Sequence, residues 1–227
     1  WWVGSDLYKR QDRRFVITYN GEIYNYVELK AGLEGEGVSF ASHSDTEVLL
    51  RALVTWGVEK TLPKLNGMFA FAMLDTVSNT VTLARDPFGI KPLYYAGLNG
   101  GLVFASEIPQ LLTLSGIDRT VDATALYDYL RFGLTDRGEH TLFSSVKHLP
   151  PAHFAVVDLN APSRVNSKRY WRAELRPTLD ITFDEAADEL RRLFMDSVAL
   201  HLRCLLYTSD AADDSLRVDL GGRRMNK

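Results

Sequence analysis

Cysteine is almost absent from this chain of 227 residues, which carries only Cys204. A disulfide within the chain is therefore excluded. No apolar run approaches the ~20 residues that a membrane-spanning helix needs, and no basic segment followed by an apolar one marks a secretory leader. The formal net charge of -3 argues against a broad nucleic-acid surface. The five histidines show no metal-ligand spacing, so we expect no metal site.

The amino-acid composition is typical of a soluble globular protein. Hydrophobic residues make up 46% of the chain and charged residues 24%, which allows a sizeable core. The length fits one large domain, or one domain and part of another. Because the first residue is Trp1 and not Met, we expect the chain to be a fragment.

Helix and strand signals follow one another along the first third of the chain. Asn25 with Glu28, and Ser44 with Glu47, have the spacing of a capping box at a helix start. Before residue 60 we expect a strand over 13–19, a helix over 25–37, a short strand over 38–42 and a helix over 44–57.

The middle of the chain changes character. Four short apolar segments, "MFAFAMLD", "TVTLAR", "PLYYAG" and "LVFAS", are separated by tight turns, which predicts an antiparallel meander. Beyond it we expect a helix over 123–133, a strand over 153–159, a linker over 176–180 and a long helix capped by Thr182 and Glu185. A strand-rich body flanked by helices indicates an α+β sandwich.

The junction Asn20-Gly21-Glu22 carries the chemistry of most interest. Asn-Gly after a strand usually marks a hairpin turn, yet helical signals follow here. If the strand ends at this pair, the Gly21 N–H and the Asn20 amide converge on one oxyanion, as acyl-transfer chemistry requires. Glu22 and Asp45 lie at two predicted helix starts. Each either complements a helix dipole or holds the ammonium of an amino-acid ligand, and the residues alone leave both interpretations open.

Five blocks occur in order along the chain: "YNGEIYNY", "SHSDTEVLLRAL", "LNGMFAFAMLD", "ARDPFGIKPLYY" and "FASEI". Together they resemble the glutaminase domain of glutamine-hydrolysing asparagine synthetases, class II amidotransferases with an N-terminal nucleophile. The resemblance covers about residues 13–203. It implies a four-layer αββα sandwich of antiparallel sheets, of the N-terminal-nucleophile hydrolase type, incomplete at its N-terminus.

The resemblance also implies roles for particular residues. Asn20 and Gly21 match the oxyanion hole, and both contact glutamine. Glu22 matches a glutamine-binding residue, and Asp45 matches the acid that holds the substrate α-ammonium. Asn25 matches an asparagine near the pocket, although helix capping explains it equally well. Arg85 and Asp86 are expected to be structural.

The chain departs from the family pattern at its start. The family opens with Met-Cys-Gly and an arginine that pairs with the glutamine α-carboxylate, and neither is present. Cys204 cannot replace the nucleophile, because an internal cysteine has no free α-amine to accept its proton. We therefore expect this chain alone to be inactive, with residues 1–175 forming the amidotransferase domain and 176–203 a linker and the first helix of a synthetase domain.

The last segment, 204–227, does not continue the family pattern. "CLLYTSDAADD" and "RVDLGGRR" resemble translated transposase-type sequencing adapter. We expect this tail not to be encoded by the source gene, and resequencing the locus from native DNA tests that expectation.

For the full-length protein the resemblance implies a cytoplasmic ligase that makes asparagine from aspartate, ATP and glutamine with Mg²⁺. The fragment itself needs no cofactor, and a homodimer is compatible with the family. Two alternatives stay open at this point. One is an amidotransferase with another acceptor, such as an amino sugar or a secondary metabolite. The other is a non-catalytic sandwich, as in β-lactam synthetases.

Overall fold

The computed structural model describes residues 6–9, 14–135, 138–161, 165–174 and 180–205. Its strands are β1 (Asp6–Lys9), β2 (Phe15–Ile23), β3 (Gly67–Asp75), β4 (Thr80–Arg85), β5 (Tyr94–Leu98), β6 (Gly101–Ala105), β7 (Val146–His148), β8 (His153–Asp158) and β9 (Ser167–Arg169). Its helices are α1 (Tyr26–Gly35), α2 (Asp45–Trp56), α3 (Val58–Thr61), α4 (Ile108–Leu112), α5 (Ala123–Phe132) and α6 (Phe183–Leu205), with a short 3-10 turn at Leu62–Lys64.

Two antiparallel sheets contain the described strands. The larger has the order β1-β2-β3-β4-β8-β9, and the smaller has the order β6-β5-β7. β2 and β3 pair along nine residues each, from Phe15 opposite Asp75 to Ile23 opposite Gly67. These two long strands form the centre from which the rest of the larger sheet extends.

Alternation along the strands separates two buried layers. Ile17, Tyr19 and Ile23 of β2 belong to a core with residues of α1 and α2. Ala70 and Ala72, on the other face of β3, belong to a core with Leu93, Tyr95 and Leu149 between the two sheets.

A third core lies on the outer side of the smaller sheet. Leu111 of α4 packs there with Ala96, Ala105 and Val146. The layers therefore run helix, sheet, sheet, helix, and the predicted α+β sandwich of antiparallel sheets is confirmed.

The strand predicted over 38–42 is wrong, because a carboxylate occupies its backbone donors. Glu47 accepts hydrogen bonds from Ala41 N at 3.0 Å and from Ser42 N at 2.7 Å. Ser44 is the N-cap of α2, as predicted, but its hydroxyl accepts from Thr46 N. Glu47 thus reaches past the cap to the preceding loop, and the reciprocal capping box predicted here does not form.

The Glu47 side chain, in the first turn of α2, is fully buried. Burial disfavours the charged form, but the hydrogen bonds from Ala41 and Ser42, together with Arg51 at 3.5 Å, outweigh it. The pKa of Glu47 is therefore held below its ordinary value.

The chain divides into two compact units, Trp1–Ala173 and Glu174–Lys227. In the second unit α6 begins with the predicted capping box: Glu185 N donates to Thr182 Oγ1 at 3.3 Å, and Thr182 N donates to Glu185 Oε2 at 2.8 Å. Arg192 then pairs with Glu189 and Asp196 along the helix.

Two predicted segments fall largely outside the described residues. The linker predicted over 176–180 does so except for Asp180, and the predicted foreign tail does so except for Cys204 and Leu205, which end α6. Of the helices that the structure describes, none combines the length and the apolar character needed to cross a membrane.

Candidate functional site

Asn20, Gly21 and Glu22 are three of the last four residues of β2, and the strand does not stop at Asn20-Gly21. The strand continues to Ile23, with Asn20 opposite Ala70, Gly21 opposite Phe69 and Glu22 opposite Met68. The strand end expected at Asn20-Gly21 is therefore wrong. β3 supplies a partner for each of these residues, and this long-range pairing overrides the local preference of Asn-Gly for a turn.

Gly21 is required by the close approach of β2 to β3. Its φ is +154°, which side-chain-bearing residues rarely adopt, and a Cβ there would lie 2.1 Å from Met68 O. Gly67 meets the same restriction from the other side, since its Cβ would lie 2.2 Å from Glu22 O. A pair of glycines thus lets the two strands approach at this point.

The backbone of Gly21 is turned away from β3. Its partner Phe69 donates its N–H to Asp86 Oδ2 at 3.2 Å and accepts from Asp86 N at 2.8 Å. Facing residues of an antiparallel pair either exchange both hydrogen bonds or direct both away from each other. Since Phe69 bonds with Asp86, the Gly21 N–H points towards the β1 side, where the described pairing of β1 ends at Asp6 opposite Tyr19.

The Asn20 side chain lies on the sheet–sheet face of β2, beside Ala70. Its Nδ2 donates to Ser106 Oγ at 3.0 Å, and both residues are half-buried. Ser106 follows β6, so this hydrogen bond links the larger sheet to the edge of the smaller one. Ser106 was not predicted as a site residue, although it lies in the "FASEI" block.

Asp45, the first residue of α2, binds the end of β2 from the helix side. Its Oδ2 accepts from Ile23 N at 3.0 Å and from Tyr19 Oη at 2.9 Å. Asn20 and Glu22 alternate with Tyr19 and point to the sheet–sheet face. The structure therefore brings Asn20, Gly21, Glu22 and Asp45 to one end of β2, with Asp45 on the opposite face from Asn20 and Glu22.

The Glu22 carboxylate has no hydrogen-bond or ion-pair partner among the residues that the structure describes. It is half-buried and sits one residue before Ile23, whose N–H binds Asp45. A carboxylate of this kind attracts a cationic group of a ligand.

Asn25 occupies the N-cap position of α1, as predicted, but its side chain makes no capping hydrogen bond. Its Nδ2 donates to Lys64 O at 2.9 Å, and its Oδ1 accepts from Asn66 N at 2.9 Å. Asn25 therefore clamps the connection after β2 to the loop before β3, and the interpretation of Asn25 as a side-chain cap is wrong.

Arg85 and Asp86 hold the turn after β4. Asp86 is fully buried, and its carboxylate accepts from the N–H groups of Phe88, Ile90 and Lys91. The Arg85 guanidinium donates to the carbonyls of Lys91, Gly89 and Leu149. The expected structural role of this pair is confirmed by these contacts.

Comparison with known proteins identifies the family. The sequence profile described as "Glutamine amidotransferase domain" matches residues 4–171. The chain belongs to the glutamine amidotransferase domain family. The candidate site at the end of β2 lies within the matched residues.

Named relatives of this amidotransferase domain are asparagine synthetases. "Asparagine synthetase [glutamine-hydrolyzing] 1" of Bacillus subtilis is 37% identical over 200 residues, covering 88% of this chain and 31% of that protein. "Asparagine synthetase [glutamine-hydrolyzing] 3" of the same organism is 35% identical, covering 83% and 30%. The enzyme from Sandersonia aurantiaca is 32% identical, covering 88% and 31%. The chain spans about a third of the length of these relatives.

Among solved structures, the glutamine phosphoribosylpyrophosphate amidotransferase of Bacillus subtilis aligns with a TM-score of 0.49 at 21% identity. The alignment covers 75% of this chain and 32% of that one.

A cavity of about 360 Å³ lies elsewhere in the amidotransferase domain, beside α5. Its lining includes Asp122, Asp128 and His140, and none of the predicted site residues. No group of three or more potential metal-ligating side chains occurs within the described part of the chain.

Proposed function

We propose that this chain is the glutaminase part of a glutamine-hydrolysing asparagine synthetase, which releases ammonia from glutamine for the amidation of aspartate. The names of the relatives support the overall reaction. The observation that carries the glutaminase step is the arrangement at residues 20 and 21, where a side-chain amide and a backbone N–H of adjacent residues stand at one end of β2.

Amide hydrolysis by a thiol creates an oxyanion that these donors fit. A thiolate attacks the side-chain carbonyl carbon of glutamine, and the carbonyl electron pair moves onto oxygen. Hydrogen bonds from Asn20 Nδ2 and Gly21 N–H stabilise that charge. When the intermediate collapses, the C–N bond breaks and the proton taken from the thiol passes to the leaving nitrogen, so that ammonia departs. A thioester remains, which water hydrolyses to glutamate and the free thiol.

The thiol is proposed to come from a terminal cysteine of the longer protein. Its α-amine, with a pKa of about 7.7–8.0, accepts the thiol proton near neutral pH. Cys204, the one cysteine of this sequence, has no such amine. ATP and Mg²⁺ belong to the aspartate-activating reaction of the longer protein in this proposal, and the cytoplasmic location and a homodimer stay predictions.

Asp45 is proposed to bind the α-ammonium of glutamine, and Glu22, on the face of β2 that carries Asn20, is proposed to bind glutamine from the other side of the strand. Asp45 Oδ2 is engaged by β2, while Asp45 Oδ1 has, among the described residues, one long contact, with Thr46 Oγ1 at 3.4 Å. Lone pairs on Oδ1 are therefore accessible to a ligand ammonium. The free carboxylate of Glu22 supplies a second negative charge at the same end of the strand.

The test uses the full-length protein expressed from its native reading frame. We expect the wild type to release glutamate from glutamine and to form asparagine when aspartate, ATP and Mg²⁺ are added. Asn20→Ala should lower glutamine-dependent turnover by about 10²–10³-fold, while synthesis from added ammonia continues. A full-length protein that releases no glutamate contradicts the proposal and favours a non-catalytic sandwich. Glutamate release without asparagine formation favours another acceptor.

A further inference from the structure

The Asn20 side-chain amide has two N–H groups, and the structure shows the acceptor of one of them. Nδ2 donates to Ser106 Oγ at 3.0 Å across 86 positions of sequence. The terminal torsion of an asparagine side chain is broad and has two similar minima. An amide without a fixed partner therefore populates several orientations, and only some of them direct an N–H at an oxyanion.

We propose that Ser106 is a positioning residue, which holds the Asn20 amide so that its second N–H is directed at the oxyanion. The inference rests on the proposed glutaminase function and assigns to it a residue outside the "YNGEIYNY" block. Ser106 acts through Asn20 and needs no contact with the substrate.

Ser106 is itself held in place by the fold. It follows Ala105, the buried last residue of β6, which pairs with Tyr94. Two residues later α4 begins, and its Leu111 is buried in the same core as Ala105. The hydroxyl is thus attached to a packed strand–helix junction, so its position is set before any ligand arrives. Such preorganisation makes a hydrogen-bond donor effective in the transition state.

The kinetic test compares Ser106→Ala and Ser106→Thr in the full-length protein. Loss of one neutral hydrogen bond predicts a fall in glutaminase kcat of about three- to ten-fold for Ser106→Ala. KM for glutamine should stay unchanged, because Ser106 does not touch the substrate. Ser106→Thr keeps the hydroxyl and should restore kcat. If Ser106→Ala proves unstable, Ser106→Cys has a similar volume and a weak acceptor, and should show the same loss.

A double-mutant cycle separates positioning from a general structural role. If Ser106 acts through Asn20, adding Ser106→Ala to Asn20→Ala should lower kcat no further. Ser145→Ala is the matched control, because the Ser145 hydroxyl also ties two segments together, donating to Asp118 O at 2.5 Å. This control should leave kcat unchanged.

The hydrogen bond can also be observed without turnover. The 227-residue chain is suitable for this experiment. In ¹H–¹⁵N spectra, the side-chain amide signals of Asn20 should shift in Ser106→Ala compared with the wild type, and their hydrogen exchange should be faster. Unchanged amide signals overturn the inference.

The outcomes of the two proposals are distinguishable. Wild-type protein that releases no glutamate overturns the proposed function and, with it, the catalytic role of Ser106. An active wild type combined with an undiminished kcat in Ser106→Ala, or with additive losses in the double variant, overturns the inference alone.

Discussion

At the scale of single residues, Gly21 leaves no room for a side chain. A Cβ there meets Met68 O at 2.1 Å and Phe69 Cα at 2.7 Å, and the backbone conformation is unfavourable for any other residue. We expect Gly21→Ala to lower the free energy of unfolding by more than about 2 kcal/mol in urea titrations. Gly97→Ala in β5 is the matched control, because a Cβ there meets nothing within 4 Å. Equal effects of the two substitutions would contradict the steric argument.

A second prediction at this scale concerns the contribution of Glu47 to stability, which depends on pH. Its folded-state pKa lies below the ordinary value for a glutamate. The stability that the ionised side chain contributes is therefore fully present above the unfolded-state pKa and is lost as pH falls through the folded-state pKa. Glu47→Gln should lower the free energy of unfolding by about 1–3 kcal/mol at pH 7. The difference from wild type should narrow below about pH 4.5 in denaturant titrations.

Glu59→Gln is the control for that experiment, because its ion pair with Lys168 is exposed on both sides. Its effect should be small at every pH. A difference between Glu47→Gln and wild type that grows as pH falls would show that Glu47 is not stabilised in its ionised form.

Local sequence signals correctly predicted the roles of residues whose hydrogen-bond partners lie close to them in sequence. Ser44 and Thr182 are N-terminal caps as expected, since their partners Thr46 and Glu185 lie within three positions. Asn20 and Asn25 behaved differently, because their side chains bind Ser106 and the loop around Lys64. No pattern within a single short window specifies such pairings, so local signals favour a turn at Asn20 and a cap at Asn25.

At the scale of elements, the Asn25 side chain links the connection after β2 to the loop before β3 and does not cap α1. It both donates to Lys64 O and accepts from Asn66 N. Asn25→Asp keeps the acceptor but loses the donor, and it places a carboxylate against a carbonyl oxygen. We therefore expect Asn25→Asp to lower the melting temperature about as much as Asn25→Ala does. If Asn25 were a cap, the Asp variant would be neutral, because Asp and Asn cap equally well.

Asp122→Asn supplies the matched comparison for this prediction. The Asp122 side chain does cap α5, accepting from Ala125 N at 2.9 Å. Asn at that position should leave the melting temperature nearly unchanged. If Asn25→Asp and Asp122→Asn behave alike, the clamp assignment is wrong.

The same contrast explains which elements the sequence could predict. The four strands expected in the middle of the chain exist as β3 to β6, because each follows from a short apolar run between turns. The single meander predicted for them is wrong: β3 and β4 pair in the larger sheet, whereas β5 and β6 pair in the smaller one. β2 was predicted too short, because its last residues are strand only by pairing with Met68 and Gly67 of β3. The strand predicted over 38–42 is absent. There the backbone N–H groups of Ala41 and Ser42 donate to the Glu47 carboxylate and not to a neighbouring strand.

At the scale of the whole molecule, the layer order follows from where the cores lie. The sandwich fold was predicted from the family resemblance. The pairing of β4 with β8 joins segments far apart in sequence, and no local pattern predicts it. All three cores are built from buried residues between Phe15 and Val157. The first compact unit therefore holds the material for an independently folding domain.

This division gives a prediction about truncation. A chain that ends at Glu174 should unfold cooperatively, with a melting temperature within about 3 °C of that of the 227-residue chain, followed by near-ultraviolet circular dichroism. A chain that ends at Ala161 is the comparison, because it also removes β9 and Tyr170. Tyr170 N donates to Ala152 O at 2.9 Å, and its hydroxyl donates to Arg85 O at 2.9 Å. Loss of these contacts beside the first core should lower the melting temperature clearly. Equal losses in both truncated chains would mean that residues after 174 stabilise the sandwich and that the first unit does not fold alone.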